Sequence, residues 1–305
     1  MNAASSATDG SDPLPPIGLI AGGGSFPFEV ARAARAKGHK VVCAGIRLEV
    51  SPELRAEVDV FRPIGLLGLA RYIKFFRAHG VRSLTWAGWI HKETLLSWSG
   101  FFKHLPDYST FSFWWRRLRQ TNHQSQTVLG AIADEFEENG FHLAHSTEFC
   151  PDLLVQPGVL TKKQPSKRQL EDVAFGWRIA KKMAELDVGQ SVAICDGATV
   201  AVEGMEGTDR NILRAGELVK RPITIVKLAM DDHDMRFDVP TIGPKTIDCM
   251  KTAGANMLAL EARKTIVLER EETLAKASKA GIVIAAFEST EFATSGSEET
   301  DGSSD

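Results

Sequence analysis

Two successive α/β domains are the architecture this sequence predicts, and three features carry the prediction. Short apolar runs of strand length alternate with longer stretches whose apolar residues recur at helical spacing, over most of the 305 residues. The alternation is interrupted once, across residues 148–168, where Pro151, Pro157, Gly158 and Pro165 stand among Lys162, Lys163, Lys167 and Arg168, a linker composition. The pieces on either side, 17–147 and 169–289, are each of ordinary domain size.

In the first piece, residues 17–21 form a short buried-strand run that ends in Gly22-Gly23-Gly24-Ser25. Pro27 then opens a helix over 28–37, where its fixed φ and missing N–H are tolerated, and Gly38 stops it. Strands follow over 40–46 and 83–87, with a helix over 66–79 between them that ends at Gly80. An amphipathic helix over 127–139, closed by Gly140, leads to a strand over 142–145. Short connections between alternating elements imply a mostly parallel sheet covered by helices. In the second piece a helix spans 170–185. A strand, a tight Asp196-Gly197 turn and a second strand occupy 192–202. Thr208 starts the next helix, residues 223–230 form a strong strand, and alternation continues to a strand over 282–286.

Residues 1–16 and 290–305 have almost nothing to bury and read as disordered tails. They hold seven acids and no bases, so setting them aside turns a net charge of −3 into +4. A mildly basic body suits a phosphorylated ligand or an anionic membrane face and is too weak for nucleic-acid binding. The four cysteines are far apart and read as buried free thiols in a reducing compartment. No secretory leader pattern and no apolar run of bilayer length is present. H-E-x-x-H, G-x-S-x-G and P-loop patterns are also absent, which disfavours zinc proteases, serine hydrolases and P-loop NTPases.

The turn Gly22-Gly23-Gly24-Ser25 lies between a strand and a helix, where backbone amides can hold an anion. A dinucleotide site would place a third glycine where Pro27 stands and an acid at the end of the second strand, which closes instead with Ile46-Arg47. NAD is therefore disfavoured. A phosphate or nucleotide-sugar contact and a plain tight turn both remain open.

The segment Asp231-Asp232-His233-Asp234-Met235-Arg236-Phe237-Asp238-Val239-Pro240 alternates apolar and polar positions. If it is extended, Asp232, Asp234, Arg236 and Asp238 share one face at about 6–7 Å spacing. Carboxylates that close repel unless a cation neutralises them, and Mg²⁺ prefers such oxygen ligands. Arg236 among them would clamp a phosphate oxygen. A solvated strand face is the competing reading. Asp196, Glu203, Glu206 and Asp209 precede the segment in the same domain, and Thr208 stands where it would cap a helix. Residues 86–118 are dense in aromatics and end in Arg116-Arg117, which suits a lipid-facing surface, a core or a dimer face.

Three motifs then fall together. They are Gly18-Leu19-Ile20-Ala21-Gly22-Gly23-Gly24, the run from Glu203-Gly204 to Gly207-Thr208-Asp209, and Asp234-Met235-Arg236-Phe237-Asp238-Val239-Pro240-Thr241-Ile242-Gly243-Pro244. With Gly254 and the closing strand, they make the chain resemble the UDP-2,3-diacylglucosamine pyrophosphatases of the LpxI type, from lipid A biosynthesis, over about residues 17–287. The resemblance implies a Rossmann-like N-terminal domain and a distinct α/β C-terminal catalytic domain. It implies a lipid-bearing UDP-sugar held between them, a homodimer, and a cytoplasmic enzyme with peripheral inner-membrane contact. It implies Mg²⁺ as cofactor, with Asp234 and then Asp238 as the essential aspartate. On this basis Asp234, Asp238 and Arg236 are the catalytic candidates, Glu203 and Asp209 further metal ligands, and Gly22, Gly23, Gly24, Ser25 and Thr208 substrate contacts. Beside an unusual Trp-rich stretch near 111–115, a second departure stands out: Asn122-His123-Gln124 replaces the Gly-Asp-Asp that the family commonly carries before the helix beginning near Thr127. It keeps open a non-catalytic protein that binds a UDP-lipid or nucleotide sugar.

Overall fold

The computed structural model describes residues 14–66, 68–90, 125–229, 236 and 239–292. The chain passes from one compact unit to a second between Phe149 and Cys150.

The first unit contains β1 (Ile17–Ala21), α1 (Phe26–Ala36), β2 (Val41–Ile46), β3 (Val60–Ile64), α2 (Leu69–Ala78), β4 (Ser83–Ala87), α3 (Ser125–Glu138) and β5 (His142–Leu143). The strands form one parallel sheet in the order β3-β2-β1-β4-β5. β1 and β2 are buried along their whole length, which is why they read as unbroken apolar runs rather than alternating ones. From β1 the chain winds outward through β2 and β3, then crosses back to β4 and β5. The reversal leaves a topological switch point between the C-terminal ends of β1 and β4. This is the doubly wound arrangement. β3 was not anticipated, because Arg62 and Pro63 are exposed on it; as an outer strand it tolerates a proline that a central one would not.

The second unit contains β6 (Gly158–Val159), α4 (Lys167–Glu185), β7 (Ser191–Cys195), β8 (Ala198–Val202), α5 (Thr208–Leu218), β9 (Ile223–Lys227), β10 (Thr241–Ile242), α6 (Pro244–Ala253), β11 (Ala255–Glu261), β12 (Ile266–Val267), α7 (Arg270–Lys279) and β13 (Val283–Phe287). Its main sheet has the order β6-β13-β11-β9-β7-β8. β9, β11 and β13 are parallel, whereas the β7–β8 hairpin and β6 run against their neighbours. The hairpin turns through Asp196 (φ 54°) and Gly197 (φ 74°), two left-handed positions that match the twist of the strands.

Of residues 148–168, read as a linker, Glu148 and Phe149 belong to the first unit and residues 150–168 to this one. Val159 pairs with Ala285, and buried Val155 accepts from Arg263 N at 2.8 Å and donates to Thr265 O at 3.0 Å. Ser166 closes a capping box with Gln169, so α4 begins at Lys167 rather than near 170. Prolines and glycines mark short edge pairings as readily as linkers, and a two-residue strand has no period to read.

Side chains alternate across the main sheet. Ile223 and Ile225 of β9 join Leu258, Leu260 and Ile284 in a cluster with Ile212 of α5 and Met250 of α6. Val226 joins Met257, Ala259 and Val283 on the other face, against Val173 and Trp177 of α4. α4 lies close because Gly176 has no side chain: a Cβ there would come within 2.8 Å of both Ile194 and Val226.

Candidate functional site

Several buried polar residues of the second unit gather at the edge where β9 and β11 end. Lys227 closes β9 opposite Ser191, the first residue of β7, and the amide of Glu203 donates to Ser191 O at 2.9 Å. Glu203, Ser191 and Lys227 therefore form a row across that edge. Glu261 closes β11, one residue beyond the Leu260 that pairs with Lys227. The carboxyl ends of parallel strands are where α/β sheets take their ligands.

Lys227 lies on the face of Ile223 and Ile225 and is only 6% exposed. A buried ammonium is costly unless hydrogen-bonded. Its Nζ donates to Thr208 Oγ1 at 3.1 Å and to the Thr241 carbonyl at 2.9 Å. Thr208 Oγ1 in turn donates to Glu203 Oε2 at 3.0 Å, and Glu203 is 9% exposed. The result is a chain of hydrogen bonds from ammonium to hydroxyl to carboxylate. Thr208 is thus not the helix cap that its position suggested. Gly207 is, at φ 82°, and the Thr208 hydroxyl is turned to Glu203.

Asp209 accepts from Thr246 Oγ1 at 3.3 Å and faces Lys245 Nζ at 3.2 Å, which ties the start of α5 to the start of α6. Glu206 accepts from Arg214 at 2.6 Å and from Gly204 N at 3.0 Å. Its carboxyl is held below the usual range by its own backbone amide, then by Arg214 and Gly204. Asp196 lies elsewhere, in the hairpin turn, where Arg168 and Arg221 pair with it.

Glu261 lies on the α4 face and is fully buried. It meets Lys181 Nζ at 3.1 Å, Lys264 Nζ at 2.9 Å and the Ser289 hydroxyl, and it accepts from Ala229 N at 2.9 Å. Burial pushes its pKa up. Ser289, Lys264 and Lys181 together outweigh burial and hold it below the usual carboxylate range. Lys227 and Glu261 were not singled out from sequence. The signal was there: each is the one charged residue of its strand and closes it.

Of the residues expected to act, Asp234 and Asp238 lie outside the described residues, as do Asn122, His123 and Gln124. Arg236 is described and sits in a turn, not on an extended strand. The shared-face argument needs extended backbone and so does not hold at Arg236. Among the described residues no three His, Cys, Asp or Glu side chains gather as a metal would require. Glu203 and Asp209 carry the oxygen donors that Mg²⁺ prefers, and both already hold hydrogen bonds.

In the first unit the glycine turn follows β1 at the switch point. Gly22 N donates to Ala87 O at 2.8 Å and Gly23 N to Trp89 O at 2.9 Å, so these two amides are already engaged. Ser25 precedes α1 and makes no side-chain capping bond; its carbonyl accepts from Phe28 N at 3.0 Å.

A doubly wound parallel unit followed by a mixed-sheet unit, with its buried charges at the strand ends, defines a two-domain α/β protein. The model of the LpxI N-terminal domain matches residues 16–153 and that of the LpxI C-terminal domain residues 156–285, so the chain belongs to the LpxI family. It is 28% identical over 276 residues to the UDP-2,3-diacylglucosamine pyrophosphatase LpxI of Caulobacter vibrioides, covering 88% of this chain and 96% of that one. Among solved structures, the biotin carboxylase domain of Hydrogenobacter thermophilus 2-oxoglutarate carboxylase is 16% identical, with a TM-score of 0.25 over 67% of this chain and 41% of that chain. Biotin carboxylase from Campylobacter jejuni is 13% identical, with a TM-score of 0.23 over 67% and 42%. The chain spans about two fifths of the length of these structures, and likeness at that level carries no argument.

Proposed function

We propose that this protein hydrolyses the pyrophosphate of UDP-2,3-diacylglucosamine in a Mg²⁺-dependent reaction that yields UMP and 2,3-diacylglucosamine 1-phosphate. The observation that carries the reading is the succession of both LpxI domains along one chain, with a relative of that name aligned over nearly its full length. Asp234 and Asp238 would hold the metal, with Glu203 or Asp209 in support, and Arg236 would face a phosphoryl oxygen. When bound, the metal neutralises the crowded charge of a pyrophosphate and orients the attacking water. The hydrogen-bonded chain Lys227–Thr208–Glu203 keeps a cation and a hydroxyl fixed at the edge where β9 and β11 end, the polarity a phosphate ester requires. A homodimer in the cytoplasm, touching the inner membrane from which a lipid substrate comes, completes the proposal. Among the described residues no helix is long and apolar enough to cross a membrane.

The test is incubation of the purified protein with UDP-2,3-diacylglucosamine, with and without Mg²⁺, following UMP, with UDP-N-acetylglucosamine alongside. Metal-dependent release from the lipid substrate alone is expected, and Asp234→Ala should lower it by about 100-fold or more. Full activity in that variant would remove Asp234 from the mechanism. Binding without release would indicate a UDP-lipid-binding protein instead.

A further inference from the structure

The chain leaves the main sheet after Lys227 and resumes strand pairing at Thr241, and the Lys227 side chain spans the two points. Its Nζ donates to the Thr241 carbonyl at 2.9 Å, 14 residues further on. Pairing with β12 holds the same place, with Ile266 N donating to Pro240 O at 2.8 Å and Leu268 N to Ile242 O at 2.9 Å. The departure is held as well. Leu228 N donates to Gln190 O and Ala229 N to Glu261 Oε2, both at 2.9 Å. Between these ends the sequence carries Asp231, Asp232, Asp234 and Asp238. The same ammonium donates to Thr208 Oγ1, which is bonded to Glu203. One buried cation thus joins three pieces of chain: the end of β9, the start of α5 beside Glu203, and the start of β10 beyond the four aspartates.

Stability alone does not explain a charge at this position. Burying an ammonium is costly, and an apolar side chain of similar volume often serves a core as well or better. What the ammonium adds is geometry. It carries three donors on one atom, and a charged donor makes a shorter and stronger bond than a neutral one. We infer that Lys227 is a positioning residue for the proposed hydrolysis, an inference that rests on that reaction. It fixes Glu203 relative to Thr241, and so relative to the segment that carries Asp234 and Asp238. Carboxylates from two separate stretches of chain are thereby set to share one metal.

The experiment compares full-length wild type, Lys227→Met, Lys227→Arg and Thr208→Val. Amide hydrogen exchange is read on the metal-free proteins over residues 228–242, with β11 as reference. Hydrolysis of UDP-2,3-diacylglucosamine is followed against Mg²⁺ concentration. In Lys227→Met, loss of the charged donor should speed exchange over 228–242 by about tenfold or more and leave β11 at the wild-type rate. The Mg²⁺ concentration for half-maximal rate should rise about tenfold and kcat fall about tenfold or more, with KM for the lipid within about twofold. Lys227→Arg keeps a charge and donors and should recover part of each effect. Thr208→Val cuts the link to Glu203 alone, so it should raise the Mg²⁺ requirement and leave exchange over 228–242 unchanged. It carries the test if Lys227→Met does not fold, and a wild-type Mg²⁺ requirement in it then overturns the inference. A folded Lys227→Met with the kcat and Mg²⁺ requirement of wild type also overturns it, whatever its exchange, because Lys227 is then a structural contact only. In both cases the proposed reaction stands. A wild type that releases no UMP overturns the reaction and the inference together.

Discussion

Glu261 carries its charge inside the protein because each acceptor site has a donor: Lys181, Lys264, Ser289 and the amide of Ala229. Removing one member of such a group leaves the others unpaired, so Glu261→Gln should cost about 3 kcal/mol in urea denaturation at neutral pH. The pH dependence has a defined sign. The folded-state pKa of Glu261 lies below its unfolded value near 4.5, so its contribution is complete above that pH and is lost as the pH falls through the folded value. The urea midpoint of Glu261→Gln should therefore fall less than that of wild type between about pH 5 and pH 3; parallel curves would remove Glu261 from acid unfolding. Thr208 and Glu203 stood out in the sequence through glycines and acids at a strand end. The partner joining them to β9, Lys227, did not, because a lysine inside a run read as a strand over 223–230 shows no partner until the neighbouring strands are known.

At the scale of the element, two helical glycines have opposite roles. Gly176 of α4 faces Ile194 and Val226 with no room for a methyl, so Gly176→Ala should destabilise by about 1–3 kcal/mol. Gly130 of α3 has nothing among the described residues within 4 Å of the added Cβ, and Gly130→Ala should stabilise by about 0.5–1 kcal/mol, since alanine is the better helix former. Denaturant midpoints of the two variants check both signs. Strands β1, β2, β4 and β9 and helices α1 and α4 were legible because each has the run length or period that burial imposes. β6, β10 and β12 were not. Each is two residues long, and pairing that short depends on where a distant strand lies.

For the molecule as a whole, the boundary of the second unit can be tested directly. Both of its core clusters draw only on residues 155–292. A fragment of residues 150–292 should therefore unfold cooperatively in urea. A fragment beginning at 169 lacks β6, buried Val155, the Thr161 hydroxyl that accepts from Ile284 N at 3.0 Å, and the Ser166 cap of α4. It should be less stable by about 3 kcal/mol or more. Equal stability of the two would return residues 150–168 to the status of a linker.

Composition and periodicity alone determined two α/β units, the glycine turn after the first strand, and the acids beside Thr208. Those are properties of runs and neighbours, which burial and local turn chemistry write into consecutive residues. Only the tertiary structure decided that Lys227 and Glu261 end adjacent strands on opposite faces of one sheet, and that Trp89 rests on Gly23 and Gly24. Lys227 and Glu261 are 34 residues apart in the chain, and Trp89 lies more than 60 beyond the turn. Strand pairing brings them together, and no local pattern in the chain records which strands pair.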